Sequence, residues 1–391
     1  MKNRKIAVFL AVCLGIVSFS GCSSDMKNYR QASSDLEAEK YDEALQEFET
    51  AIAAGVNPAG SYRGAGVANV HLGNYKEAIE NFTDALNCKK VGKSLKKDIL
   101  SYRAAAYLKI KAYDEAMADC QSIAADYDMD ADVYFLTGEV ALAMDSYEEA
   151  SADFEQAYGE EATYDMAIRI YSAYLEKDME ADGTRYLEAA LSKTADNAQD
   201  HCDRGRVYYY MGDYDNAQKE LQEAADDGNT EAVLLQGMVY MEQKDTASAR
   251  KKFEEYVSQA EDSARGFNGL ALCDIEDGDY DSALSNISSA LTFAEGEELK
   301  SLLFNEMTVY EKKLDFATAK QKAEEYLELY PDDKTMKKEL AFLKTRVTGQ
   351  NENSGAETTA GDTAADSSTA DNTNTNSSEE QYESIWKSLA D

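Results

Sequence analysis

Apolar and polar positions along this chain alternate in a helical rhythm, with apolar residues three and four apart in stretches of about a dozen, which predicts amphipathic helices. One phrase recurs: an aromatic residue, two polar residues, then alanine. Six intact copies are Tyr41-Asp42-Glu43-Ala44, Tyr75-Lys76-Glu77-Ala78, Tyr113-Asp114-Glu115-Ala116, Tyr147-Glu148-Glu149-Ala150, Tyr214-Asp215-Asn216-Ala217 and Tyr280-Asp281-Ser282-Ala283. Degenerate copies place the equivalent of that alanine at Gly183, Ala249 and Ala319. The reference positions are therefore 44, 78, 116, 150, 183, 217, 249, 283 and 319, at a period near 34.

Around each reference position the sizes of side chains are patterned as well. Twelve residues earlier stand Ala32, Gly66, Ala104, Gly138, Gly205, Gly237 and Ala271, with Tyr171 and Met307 the large exceptions in the fifth and ninth copies. Four residues later stand Phe48, Phe82, Phe154, Leu187, Leu221, Phe253 and Ile287, with Cys120 and Ala323 the small exceptions. A small residue on one helix facing a large one on the next is what close packing of paired helices requires. With its period, this pattern resembles the tetratricopeptide repeat over residues 26–347. The resemblance implies an all-α fold, a right-handed superhelix of about nine helix-turn-helix repeats. Thr335 to Val347, with Leu340, Leu343 and Val347 among lysines and arginine, reads as a helix that caps the last repeat.

The composition supports that reading and narrows the chemistry. With 2 prolines and 22 glycines in 391 residues, the chain is poor in turn formers, which speaks against a barrel or sandwich. Its 75 acidic against 39 basic residues give a net charge of -36, which repels nucleic acid and anionic lipid alike. The lysines at 89, 90, 93, 96 and 97 fill the longest spacing between repeats and are a basic spot on an acidic rod.

Lys2, Arg4 and Lys5 precede an apolar stretch from Ile6 to Phe19, too short to span a bilayer, and residues 1–21 read as a secretory signal peptide. Phe19-Ser20-Gly21-Cys22 resembles the lipobox of bacterial lipoproteins, with Phe19 where that family has an aliphatic residue. The resemblance implies that Cys22 is lipidated and becomes the first residue, with 22–25 a short linker. The expected location is then extracytoplasmic, anchored by lipid to the cell membrane. Cys88, Cys120, Cys202 and Cys273 lie singly, with no metal-ligand spacing, and read as small buried hydrophobes rather than a disulfide framework.

Residues 348–378 carry no Leu, Ile, Val, Met or aromatic side chain and read as a disordered linker of Thr, Ser, Asn and acidic residues. Within 379–391, Tyr382, Ile385, Trp386 and Leu389 then fall at i, i+3, i+4 and i+7, the stripe of a short amphipathic helix suited to docking, and Trp386 is the chain's single tryptophan.

Catalytic and metal motifs fail on inspection. Gly92-Lys93-Ser94 lacks the first glycine of a phosphate loop, since Asn87 stands there, and Asp126, Asp128, Asp130 and Asp132 lack the glycine and glutamate of a calcium loop. With His71 and His201 the only histidines, no nucleophile and base set is evident, so we expect no enzyme, cofactor or metal. The repeat resemblance implies instead that one side chain register of each first helix faces a concave groove that binds partner segments. That register nominates Arg63, Val67, His71, Lys109, Arg206, Tyr209, Tyr210, Met238 and Arg265. The expected function is a membrane-anchored scaffold for protein partners; a solute- or glycan-binding lipoprotein is the alternative, with an aromatic pit in place of a groove.

Overall fold

A computed structural model describes residues 22–260, 264–294, 296–331 and 333–354. Among them every regular element is a helix. The helices pair in chain order, each first helix (A) followed by a second (B). Repeats one to three comprise α1 (Cys22–Glu37), α2 (Tyr41–Ala53), α3 (Pro58–His71), α4 (Tyr75–Asn87), α5 (Lys93–Lys109) and α6 (Tyr113–Asp126). Repeats four to six comprise α7 (Ala131–Ala143), α8 (Tyr147–Glu160), α9 (Tyr164–Leu175), α10 (Glu180–Leu191), α11 (Ala198–Tyr210) and α12 (Tyr214–Asp226). Repeats seven to nine comprise α13 (Thr230–Glu242), α14 (Thr246–Gln259), α15 (Ala264–Asp277), α16 (Tyr280–Ala290), α17 (Gly296–Lys312) and α18 (Phe316–Leu329). The last helix, α19 (Lys334–Ser354), lies against α18 and continues beyond residue 347, where the composition places the end of the repeats. Each helix packs chiefly on its neighbours in sequence, an all-α solenoid of stacked helix pairs, as the repeat resemblance implies.

Every turn from A to B uses the same device. Five residues before each reference position the backbone enters the left-handed region, at Glu39, Gly73, Lys111, Asp145, Asp178, Gly212, Lys244, Gly278 and Leu314. That conformation ends helix A and releases the chain for helix B, whose first turn Asp213, Asp245, Asp279 and Asp315 then cap by accepting a backbone N–H three residues on. Leu314 is the least suited occupant, a γ-branched side chain at φ 59° that is also 67% exposed. Leu314→Gly is therefore expected to stabilise the chain by about 1 kcal/mol, seen as a higher midpoint of thermal unfolding.

The small positions prove to be sites of ring contact. A Cβ added at Gly66 would meet Phe82 at 2.5 Å, one at Gly138 would meet Phe154 at 2.7 Å, and one at Gly205 would meet Leu221 at 2.5 Å. The exceptions compensate one another. In the fifth repeat Tyr171 replaces the small residue and the reference position becomes Gly183, where a Cβ would lie 2.9 Å from the Tyr171 backbone. In the ninth, buried Met307 packs with buried Ala319 and Ala323, so the large side chain has moved from helix B to helix A. Volume is conserved while its position shifts.

The solenoid returns on itself after seven repeats. At Gly296, the first residue of α17, the backbone approaches the end of α3 so closely that a Cβ would sit 2.9 Å from the carbonyl oxygen of His71. No helix among the described residues is long and apolar enough to cross a membrane.

Candidate partner-binding face

The A helices lie side by side, and polar bonds link each to the next from the second repeat onward. Arg63 on α3 grips Asp98 on α5 with two bonds of 2.8 and 3.0 Å, its guanidinium 5.0 Å over the Tyr102 ring. Lys97 reaches Asp130, the N-cap of α7. Arg169 on α9 reaches back to Asp132 at 2.8 Å and lies 4.2 Å over the Phe135 ring. Arg206 on α11 pairs with Asp165 at 3.8 Å and with Asp203 on its own helix at 3.5 Å. Asn229 donates to Gln199 at 3.2 Å, and the Tyr209 hydroxyl donates to Glu242 at 3.3 Å. Arg265 on α15 holds Glu231 through bonds of 3.1 and 2.9 Å. Asn305 donates to buried Asn268 at 2.9 Å, and Lys300 approaches Asp333 ahead of α19 at 3.9 Å.

The arginines of the predicted register are thus engaged within the fold. Each exposed ion pair of this kind contributes at most about 1 kcal/mol, so the ladder sets the angle between repeats more than it holds them together. Val67 and Met238 offer no surface, being 4% and 0% exposed. Val67 packs with Phe82 and Ile99, and Met238 lies in the core of repeats six to nine; at those positions the register points between helices rather than outward. His71 and Lys109 are exposed. The His71 ring stacks on Tyr41 at 4.2 Å, and burial lowers its pKa below the usual histidine value. Tyr210 is partly buried, its ring 6.0 Å from that of Tyr171, whose hydroxyl donates to the Tyr210 carbonyl at 3.2 Å. Burial and the Glu242 carboxylate push the Tyr209 phenol above the ordinary tyrosine range.

The acidic half of the ladder escapes the register read from sequence. Its signal is an acid eighteen residues before the reference position, at Asp98, Asp132, Asp165 and Glu231. Glu139 on α7 escapes it too. Burial pushes its carboxyl up to about 7 against the pull of Lys109 and Arg169, with Glu176 adding to the rise. A carboxyl whose folded pKa lies above its ordinary 4.5 weakens the fold as pH climbs from about 4.5 to 7, because only the unfolded chain ionises freely there. Glu139→Gln is expected to raise the unfolding midpoint at pH 8 and leave it nearly unchanged at pH 4, read by thermal melts at both.

One cleft lies on this face, with a volume of about 750 Å³ over the A helices of three consecutive repeats. Tyr29, Ser33 and Leu36 come from α1, Arg63 from α3, and Ser94 and Leu95 from α5, while Gly60 and Gly64 on α3 are buried under Tyr29, Asn57 and Phe48. A second cleft of about 630 Å³ adjoins it, sharing Lys93 and Ser94 and extending to Asp128. Lys89, Lys90, Lys93 and Lys96, in the loop before α5 and its first turn, are exposed, and Lys93 lines both clefts.

The four cysteines described are unpaired. Cys120, Cys202 and Cys273 are buried, their thiols pushed up to about 11, 12 and 12 by loss of solvent, and Cys88 is partly buried. Among the described residues no group of three or more His, Cys, Asp and Glu is placed to hold a metal. The side chain of Cys22 and the stripe Tyr382, Ile385, Trp386 and Leu389 lie outside what the structure describes.

Three stretches, residues 29–94, 202–266 and 234–296, match the family model of the tetratricopeptide repeat. They cover the first two repeats and most of the sixth to eighth, where small and large positions follow the regular pattern. No curated protein matches the chain in sequence. Among solved structures, a tetratricopeptide repeat protein from Parabacteroides merdae ATCC 43184 is 15% identical, covering 64% of this chain and 98% of its own, with a TM-score of 0.42. MamA 41-end from Desulfovibrio magneticus RS-1 is 18% identical over 44% of this chain and 94% of its own, at 0.37. A thermophilic TPR protein of Thermus thermophilus is 16% identical over 48% and 98%, at 0.39. The fold assignment rests on the helix pairs and the family match rather than on these similarities.

Proposed function

We propose that this protein is a non-enzymatic scaffold that holds extended or helical segments of protein partners on the face of its A helices, anchored by lipid on Cys22 at the outer side of a bacterial cell membrane. The observation that carries the reading is the cleft over α1, α3 and α5. It crosses three repeats and is lined by apolar side chains and by both signs of charge, features that suit a polypeptide segment. Of the predicted register Arg63 lines the cleft, His71 and Lys109 stand further along α3 and α5, and Arg206, Tyr209, Tyr210 and Arg265 lie on the later A helices α11 and α15, residue types that contribute most at interfaces.

Affinity capture of the chain and of a Ser33→Arg, Ser94→Arg variant, which fills the cleft from both walls, tests this. A partner recovered by the first and lost by the second is expected; no partner across replicated captures contradicts the scaffold. The anchor has its own test. Cys22→Ala is expected to move the protein from the membrane fraction to the soluble one, because two or three acyl chains at about 0.8 kcal/mol per methylene are what hold it. Unchanged membrane retention refutes lipidation as the anchor.

A further inference from the structure

Lys89, Lys90, Lys93 and Lys96 have no ion-pair partner among the described residues, on a chain of net charge -36. Lys93 lines both clefts, and the other three lie within four residues of it in the chain, in the loop before α5 and its first turn. The first cleft is amphipathic: Tyr29, Leu36, Phe48 and Leu95 give it apolar lining, Arg63 is matched by Asp98, and Lys93 and Glu37 are its remaining charges. A fitting occupant is a short segment with an apolar stripe and an excess of carboxylates.

Such a segment lies in this same chain. Residues 355–391 carry eight carboxylates against one lysine, and the stripe Tyr382, Ile385, Trp386 and Leu389 is bracketed by Glu379, Glu380 and Glu383. Most of the solenoid's surface repels it, while the lysines attract it. We propose that residues 379–391 seat their apolar stripe in the cleft over α1, α3 and α5, the one read above as a partner site, with their carboxylates against Lys89, Lys90, Lys93 and Lys96.

The fold brings the two within reach. The start of α17 touches the end of α3 at His71, and the start of α19 is tied to the start of α17 by Lys300 with Asp333 and by the Tyr330 hydroxyl donating to the Gly296 carbonyl at 3.3 Å. From there the 21 residues of α19 extend about 30 Å, and the eight residues back along α3 from His71 to Arg63 about 12 Å. The 27 residues from 355 to 381 have a contour length of about 90 Å, which spans the sum of those distances. Tethering then keeps the segment at high effective concentration beside the cleft. Lys337 and Lys338 on α19 are also exposed and nearer in sequence, so they are the control for charge alone.

Because Trp386 is the only tryptophan, its fluorescence reports the segment directly in the full chain. The expected results are blue-shifted emission and protection from acrylamide. Both are lost in Lys93→Glu, Lys96→Glu, and weakened when salt is raised from ~0.1 to ~1 M, where the screening length falls from about 10 to about 3 Å. A Leu389→Asp variant, which leaves the solenoid untouched, is expected to lose the protection equally. Emission like that of free tryptophan in the unmodified chain overturns the proposal. So does protection that disappears in Lys337→Glu, Lys338→Glu but not in Lys93→Glu, Lys96→Glu, and so does protection that fades on dilution, which would assign the segment to a second copy. These readouts require no partner, so they fail or succeed independently of the capture experiment.

Discussion

Phe253→Ala is expected to destabilise the seventh and eighth repeats by about 3–5 kcal/mol, the range for removing a fully buried aromatic ring. Phe253, on α14, is 0% exposed and lies between two glycines on successive A helices. A Cβ at Gly237 on α13 would meet its ring at 2.6 Å, and one at Gly269 on α15 would also meet it at 2.6 Å. The ring therefore fills the gap within its own repeat and the gap to the next, and its removal leaves a cavity lined by backbone on two sides that cannot close without moving whole helices. Gly269→Leu approaches the same contact from the other face and is expected to be at least as harmful, since the ring has no room to retreat toward Gly237. In a solenoid stability is the sum of repeat and nearest-neighbour terms, so the loss falls at one interface. Urea unfolding followed by circular dichroism is expected to separate into two transitions, with hydrogen exchange fastest in α13 to α15. A single transition shifted by less than about 1 kcal/mol would show that Phe253 does not couple the two repeats.

The repeat and the fold class are legible in the sequence because they depend on contacts within one helix pair. The reference alanine, the small residue twelve before it and the large residue four after it meet in the same repeat, and their spacing is preserved in the chain. The exceptions in the fifth and ninth repeats read as divergence when each position is taken singly. They read as compensation only once Tyr171 is seen against the Gly183 backbone and Met307 against Ala323. The outward face of the A helices was less legible. Whether a residue of the register points outward depends on the rotation between neighbouring repeats, and at Val67 and Met238 that rotation turns the side chain into the core. The partners of Arg63 and Arg265 stand 35 and 34 residues away, and a charged residue on a helix face looks alike in sequence whether it is solvated or paired. The approach of α17 to α3 is the sum of seven such rotations, which no local pattern encodes.

The second large effect is expected at an ion pair between an A helix and the B helices on either side of it. Arg103 on α5 holds Asp119 on α6 through bonds of 2.8 and 2.7 Å, with the two side chains 17% and 8% exposed. Its remaining nitrogen donates to Thr83 on α4 at 3.0 Å, so one guanidinium joins the second repeat to the third. The bond to Asp119 outweighs the desolvation of Arg103 and raises its pKa, and the guanidinium stays charged when that partner is removed because an arginine is basic enough without it. Asp119→Ala then leaves a charge with little water and no counterion, for an expected loss of about 3–5 kcal/mol. Asp119→Asn keeps an acceptor and is expected to lose less. In Arg103→Met, Asp119→Leu the charge and its obligation vanish together, and most of the stability is expected to return, because apolar packing replaces a buried pair at little net difference. A double-mutant cycle on chemical unfolding measures the coupling. Additive single effects would show that solvent reaches the pair freely. A salt titration separates it from the exposed Lys313 and Asp281 pair, which screening is expected to weaken while the Arg103 pair holds.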